Sequence, residues 1–247
     1  MSAFSTPQQL EQIRIILSRY VRLPFSGDTI PGAVMEAVLA HVRGAERLNT
    51  YDFVDVVNRD EHCGWQVKST KVGTPVTWKR AKIPNARALI EASRKSSAGL
   101  QRLGDAIIEF CNAHVQRSLE DYGLNEIGYC RLIVHEDGRV TYFEKLLCTR
   151  HKPLLFTPED FVWRWSTPKR TVRKEQLQAL HGIHNPTNKK WWAWHGLGEN
   201  QLHFSGESAW WPGAGDHHTV TFSLPTEAEK VPLEGLLKLL SRLDAPA

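Results

Sequence analysis

YDFVDVVNRDEHCGWQVKSTK, residues 51–71, holds two runs of β-branched, aromatic and apolar side chains on either side of a polar cluster. Residues 51–57 and 64–70 therefore read as strands, and 58–62 as the turn between them. Joined by so short a loop, the strands are predicted to pair as an antiparallel hairpin. Folding about Asp60 and Glu61 sets Asp55 opposite Gln66 and Phe53 opposite Lys68. Side chains alternate along a strand, so Asp55, Gln66 and Lys68 are expected on one face. A carboxylate, an amide and an ammonium are then within reach of one another.

Charged groups on strands are costly unless solvated or paired. A surface salt bridge between Asp55 and Lys68 is one account of them, and it contributes little to stability. A divalent-metal site is the other. Mg2+ takes a few oxygen ligands and keeps several waters, and Asp55 with the carbonyl groups of Gln66 and Val67 supplies candidate donors. Lys68 would then stand beside the attacking water and the charge that builds on a phosphate.

In these residues the chain resembles the PD-(D/E)xK nuclease superfamily, and within it the type II restriction endonucleases. The resemblance rests on Asp55, the hairpin, Gln66-x-Lys68 and the Ser69-Thr70-Lys71 run that follows. Gln in the middle position is similar to the Mrr-like branch. Val54 stands where the family name has Pro, and Gln66 lacks the acidic charge of the usual residue. The resemblance implies an α/β fold of restriction-endonuclease-like architecture, with a mixed central sheet flanked by helices. It implies Mg2+-dependent hydrolysis of phosphodiester bonds in double-stranded DNA, with Asp55, Gln66 and Lys68 catalytic and Asp55, Gln66 and Val67 holding the metal. Similar nucleases often carry a metal-binding Glu on the helix before the hairpin, which makes Glu36 the candidate to restore the missing charge. A solvated helix glutamate is the alternative reading of Glu36. Asp52 is the fallback ligand, although strand alternation puts it on the face opposite Asp55. Cutting both strands implies a homodimer, and a restriction role implies a companion DNA methyltransferase. A repair or modification-dependent nuclease on the same scaffold, and a DNA-binding protein without catalysis, are the alternatives.

The chain of 247 residues is long enough for a sizeable core and reads as one domain, with a DNA-recognition subregion over 150–220. No apolar run approaches a membrane span, and residues 1–12 lack a basic then apolar leader, so a cytoplasmic protein with no membrane partner is expected. Four cysteines without a clustered framework fit reduced thiols. The net charge is only +4, yet Lys71, Lys79, Arg80, Lys82, Arg87, Arg94 and Lys95 fall between Lys68 and Arg102 with Glu91 as the one acid. A polyanion is the expected partner of that surface.

Thr6-Pro7 opens a helix in which Leu10, Ile13, Leu17 and Tyr20 recur at helical spacing. A second helix is predicted over 31–47, with Val34, Val38, Val42 and Ala45 buried. After the hairpin, Pro75 and Pro84 argue against regular structure over 72–84. There Trp78, Lys79, Arg80 and Lys82, with Lys71 just before them, are candidate DNA contacts; a solvated loop whose tryptophan fills the core is the alternative. Asn85 caps a long helical region that reaches about Tyr122 and covers the sheet, and Gly123 ends it. Residues 126–134 and 139–148 form a second hairpin about Glu136-Asp137-Gly138, with apolar groups on both faces.

Beyond Arg150, helices are predicted to Trp165 and from Thr167-Pro168 to about His181. Lys169, Arg170, Arg173 and Lys174 begin the second of these and do not suit its macrodipole, which points to an external anion. Lys189 and Lys190, also candidate DNA contacts, lead into a tryptophan cluster read as core before stacking platform. Residues 201–205, 210–211 and 219–224 are strand candidates. The pairs Cys148 with His151 and His181 with His184 have ligand-like spacing but complete no quartet. Thr226 and Glu229 form a capping box for a last helix, whose Leu233, Leu236, Leu237, Leu240 and Leu243 either complete the core or join two subunits.

Overall fold

The computed structural model of the chain describes residues 2–49, 52–170, 175–211 and 216–242. Helix α1 (Pro7–Tyr20) begins as expected: the Thr6 hydroxyl accepts from the Gln9 N–H, the Gln9 side chain accepts from the Thr6 N–H, and Pro7 fills the first turn. Helix α2 (Gly32–Arg43) stops before Arg47 because Gly44 turns left-handed, at φ 57°. It buries Met35, Val38 and Leu39, so its inner stripe is rotated from the one through Val34 and Val42. Strand β1 (Glu46–Arg47) takes the residues that were expected to end the helix.

Strands β2 (Val56–Asn58) and β3 (Cys63–Lys71) form the expected antiparallel hairpin in the expected register, with Val56 facing Trp65 and Asn58 facing Cys63. Strand β2 is shorter than read from the sequence, because the chain bends at 52 and 53. Strand β4 (Val76–Arg80) occupies the segment expected to be irregular; Pro75 and Pro84 lie outside it and remove none of its ladder donors. The helical region over 85–122 is two helices, α3 (Ala86–Ser93) and α4 (Ser97–Asp121), and Asn85 stands left-handed at φ 55° without capping through its side chain. Gly123, at φ 63°, follows the end of α4. Strands β5 (Glu126–Val134) and β6 (Arg139–Thr149) pair as predicted, turning at Gly138, whose φ is 79°.

Beyond Arg150 strands replace the expected helices. A 3-10 turn, Pro158–Asp160, leads into β7 (Phe161–Trp165), where Phe161 and Trp163 are buried while Val162 and Arg164 are exposed, a period of two. Strands β8 (Lys169–Arg170) and β9 (Glu175–Gln176) make a ribbon, followed by β10 (Leu180–His184), β11 (Lys189–Trp194) and β12 (Gln201–Phe204). Lys169 and Arg170 lie on β8 and not at the start of a helix; Arg173 and Lys174 lie outside the described residues. Trp210 ends a 3-10 turn, Gly206–Trp210, in place of the expected strand. Strand β13 (Thr219–Ser223) is where it was expected. Thr226 and Glu229 do form a capping box, but on a 3-10 turn, Glu227–Glu229, and helix α5 (Leu233–Leu240) starts separately behind Pro232. Leu233, Leu237, Leu239 and Leu240 are exposed, so α5 does not complete the core; Leu243 lies outside the described residues.

The result is a mixed α/β protein with five helices among the described residues and two larger sheets. The first sheet runs β1-β2-β3-β5-β6-β13, with β3 and β5 parallel and its other pairs antiparallel. The second is antiparallel, β4-β12-β11-β10-β7, so a strand from before the expected subregion forms its edge. Val56, Trp65, Val67, Cys130 and Leu132 on one face of the first sheet pack on α1 and α2. Ile127, Tyr129 and Ile133 on the other face pack with α4 and the inner face of the second sheet, which contributes Trp78, Trp163, Trp192, Trp194 and Phe204. Burial on both sides explains why both alternating sets of β5 are largely apolar. No described helix is long and apolar enough to cross a membrane, and the four cysteines are unpaired and buried.

Candidate active site

Trp65 and Val67 point toward α1 and α2, so alternation along β3 turns Gln66 and Lys68 to the opposite face, toward α4 and the second sheet. The ladder between β2 and β3 stops at Val56, and Asp55 continues it by other means. Its main-chain N–H donates to the Trp65 carbonyl at 2.8 Å, and its carboxylate accepts the Val67 N–H at 2.7 Å. The same carboxylate oxygen lies 3.7 Å from the Lys68 ammonium, with both side chains less than a third exposed. Gln66 is 1% exposed. Its Nε2 donates to the Trp78 carbonyl at 3.2 Å, while Oε1 is buried without a hydrogen-bond partner. The three side chains expected to converge do so.

A cavity of about 750 Å³ opens over them. The hairpin side contributes Asp52, Phe53, Asp55, Gln66 and Lys68; β4 and the residues after it contribute Thr77, Trp78, Lys79, Arg80 and Lys82. Helix α4 closes it with Phe110, His114 and Arg117. Burial pushes the Lys79 ammonium below the usual lysine range, against the attraction of Asp52 and Asp55. His114 Nδ1 lies 2.9 Å from the Phe110 carbonyl. A carbonyl only accepts, so Nδ1 carries the proton and Nε2 the lone pair of the neutral ring. Burial favours that neutral form by lowering the His114 pKa.

Several expected positions need correction. Glu36 does not line this cavity: α2 packs on the Trp65 and Val67 face of β3, and the Glu36 carboxylate pairs with Arg47 at 3.2 Å. Asp52 does line it, because the bends at 52 and 53 break the alternation that would have turned it away; there it accepts a hydrogen bond from the Tyr122 hydroxyl. The Trp78 ring, 2% exposed, is core, packed against Phe53, Tyr129, Trp192 and Phe204, and is not open to a base. Lys71 pairs with Asp28 in a separate recess. Lys79, Arg80 and Lys82 are at the cavity as expected, whereas Lys189 and Lys190 are exposed on β11. His184 stacks on Trp191, with ring centroids 3.7 Å apart, and belongs to no metal cluster among the described residues. Phe110, His114 and Arg117 were missed. Their spacing along α4 puts them on one helix side, a signal hidden while that helix was read only for its apolar stripe.

The oxygen atoms present suit a hard divalent cation. In a strand the N–H and C=O of one residue point to the same edge, so the Val67 carbonyl faces the edge where Asp55 sits. The Gln66 main chain faces β5, which leaves its orphaned Oε1 as the oxygen it can offer. Asp55, the Val67 carbonyl and Gln66 Oε1 are donors of the kind Mg2+ takes, and Asp52 adds a second carboxylate to the cavity. No group of three or more His, Cys, Asp or Glu suited to a metal occurs among the described residues, so a cation here would also depend on amide and carbonyl oxygens and on water. Comparison with protein-family models, with curated protein sequences and with solved structures finds no match.

Proposed function

We propose that the protein is a Mg2+-dependent endonuclease that hydrolyses phosphodiester bonds of double-stranded DNA, in the manner of a type II restriction endonuclease. The observation that carries this reading is the Asp55 to Lys68 contact at 3.7 Å, beside a buried amide oxygen without a partner, in a cavity lined by Lys79, Arg80, Lys82 and Arg117. Asp55, the Val67 carbonyl and Gln66 Oε1 would hold the cation, with Asp52 in the role first given to Glu36. Bound there, Mg2+ supplies Lewis-acid stabilisation of the charge that builds on the scissile phosphate.

Lys68 orients the attacking water and sets a positive charge next to the phosphate oxygens. The Asp55 carboxylate keeps that ammonium in place while the Val67 N–H fixes the carboxylate in turn. Lys79, Arg80, Lys82 and Arg117 hold the neighbouring phosphates, which carry no sequence information but set the register of the duplex.

Digestion of a long duplex tests the reading. Discrete fragments are expected with Mg2+ and none with a chelator present. Asp55→Ala and Lys68→Ala are each expected to lower cleavage by about 100-fold or more, the scale of losing one preorganised electrostatic group, with duplex binding largely retained. Cutting by both variants at the parental rate would reject the site. Duplex binding by the parent with no product under any divalent metal would reject catalysis and leave a DNA-binding protein.

A further inference from the structure

The second sheet has a buried inner face and an outer face that the nuclease reading leaves unused. Strand register puts Thr77, His203, Ala193, His181 and Arg164 in a single row across its five strands. Thr77 and Arg164, at the two ends of the row, are exposed. Ala193 in the middle has the shortest side chain, and over it lies a recess of about 220 Å³. His181, His195, His203 and Lys190 line that recess together with the hydroxyl residue Ser166. The His195 and His203 rings stand 4.9 Å apart.

We infer that this row is a second contact surface for the duplex, binding the phosphate backbone on one side of the cut. The inference rests on the endonuclease reading and deepens it, turning the expected recognition subregion, with Lys190 in it, into one defined surface on the second sheet. Three observations carry it. No carboxylate lines the recess among the described residues; hydroxyls, imidazole N–H and one ammonium are donors that match phosphate oxygens, and the recess offers no charged oxygen of the kind a hard cation takes. The row is continuous with the candidate active site, since Thr77 at its end also lines the cavity that holds Asp55 and Lys68. Its length fits a polymer and not a single anion. Four inter-strand gaps of about 4.8 Å make about 19 Å, or roughly five to six base-pair steps of duplex.

Charge divides the row's work. Burial lowers the pKa of His195 and of His203, so at neutral pH both rings are uncharged; the single N–H of His203 is taken by the Gln201 amide oxygen, 3.0 Å from Nε2, which leaves His195 as the uncharged donor of the two. Lys190 and Arg164 carry fixed positive charge, and the salt dependence of binding is expected to follow them. Each phosphate neutralised contributes about 0.9 to the slope of log affinity against log salt.

The test is duplex binding by the full chain in a chelator, so that nothing is cut, over a range of salt. The parent is compared with Lys190→Glu/Arg164→Glu and with His181→Ala/His195→Ala, each shown by thermal melting to fold. The charge-reversal pair is expected to lose at least about tenfold in affinity and about 2 in salt slope. The histidine pair is expected to lose affinity with the slope kept. Unchanged affinity in both pairs, from a parent that does cut DNA with Mg2+, overturns this surface alone. A parent that neither binds nor cuts duplex overturns the endonuclease reading and this one with it. Polyglutamate competing as well as DNA of equal charge would make the row a general acidic-protein surface and would also overturn it.

Discussion

Gln66 uses half of its amide. Nε2 meets the Trp78 carbonyl at 3.2 Å, and Oε1 meets nothing in the protein. A satisfied hydrogen bond contributes about 1 kcal/mol, and a buried acceptor left unmet costs about 1–3 kcal/mol, so for folding alone the side chain is close to neutral or unfavourable. Leucine, at similar volume, would remove the unmet Oε1 but leave the Trp78 carbonyl without this donor, so the two changes roughly offset. Gln66→Leu is therefore expected to melt within about 3 °C of the parent while cleavage falls by about 100-fold or more. Loss of stability with cleavage kept would make Gln66 a packing residue instead. The convergence of Asp55, Gln66 and Lys68 was legible in the sequence because alternation and hairpin register are local properties of the chain. Asp52 was not, since its placement depends on bends that no residue between 52 and 55 announces. Nor was the placement of His114 and Arg117: whether a helix turns its polar side to water or to a cavity is settled by what packs beside it.

Helices α3 and α4 are held together at a glycine. A Cβ on Gly99 would lie 2.2 Å from the Ala92 carbonyl oxygen and 3.1 Å from the Ser93 nitrogen, both backbone atoms that cannot rotate away. On an open helix alanine would be favoured over glycine by about 1 kcal/mol. Here overpacking outweighs that gain, and Gly99→Ala is expected to cost about 1–3 kcal/mol, which thermal melting would read as roughly 2–12 °C in a chain of this length. Because α4 carries His114 and Arg117 to the cavity, cleavage is expected to fall with it. A higher melting temperature would mean that the two helices do not meet there. Element boundaries in this part of the chain were legible where a residue enforces them, as Gly123 and Gly138 do. They were not legible at Thr157-Pro158-Glu159-Asp160. Those residues have the chemistry of a helix start, yet only a 3-10 turn uses it, and the alternation of Phe161, Val162, Trp163 and Arg164 then wins.

At the scale of the whole molecule, residues 2–5 tie together parts of the chain that are far apart in sequence. The Trp65 indole donates to the Ala3 carbonyl at 2.7 Å, and the Ala3 N–H donates to Glu126 at 2.7 Å. Arg43, buried over the Trp65 ring, donates to the Ser2 carbonyl at 2.8 Å. The Ser5 N–H and hydroxyl both donate to the buried Glu144 carboxyl at 2.6 Å, which the Tyr142 hydroxyl also reaches at 2.7 Å. None of this was legible beforehand, because Ser2-Ala3-Phe4-Ser5 announces nothing about partners 41 to 139 residues away.

Removing residues 2–5 would leave Glu144 with Tyr142, Arg43 with Glu61 at 3.0 Å, and the Trp65 indole without an acceptor. Buried polar groups stripped of partners cost about 1–3 kcal/mol each, and charged ones more, so the deletion is expected to cost about 4 kcal/mol or more. That is a large share of the roughly 5–15 kcal/mol by which domains of ordinary stability persist. Urea unfolding reads it as a lower midpoint with an unchanged slope, since the core exposed on unfolding is the same. The weakened region lies on the α1 and α2 side of the first sheet, and the cavity with Asp55 and Lys68 lies on the other. Below its new midpoint the truncated protein is therefore expected to keep the metal-dependent cleavage proposed for the parent. An unshifted midpoint would mean that these bonds contribute nothing net, and cleavage lost while the fold survives would mean that the two faces of the sheet are coupled.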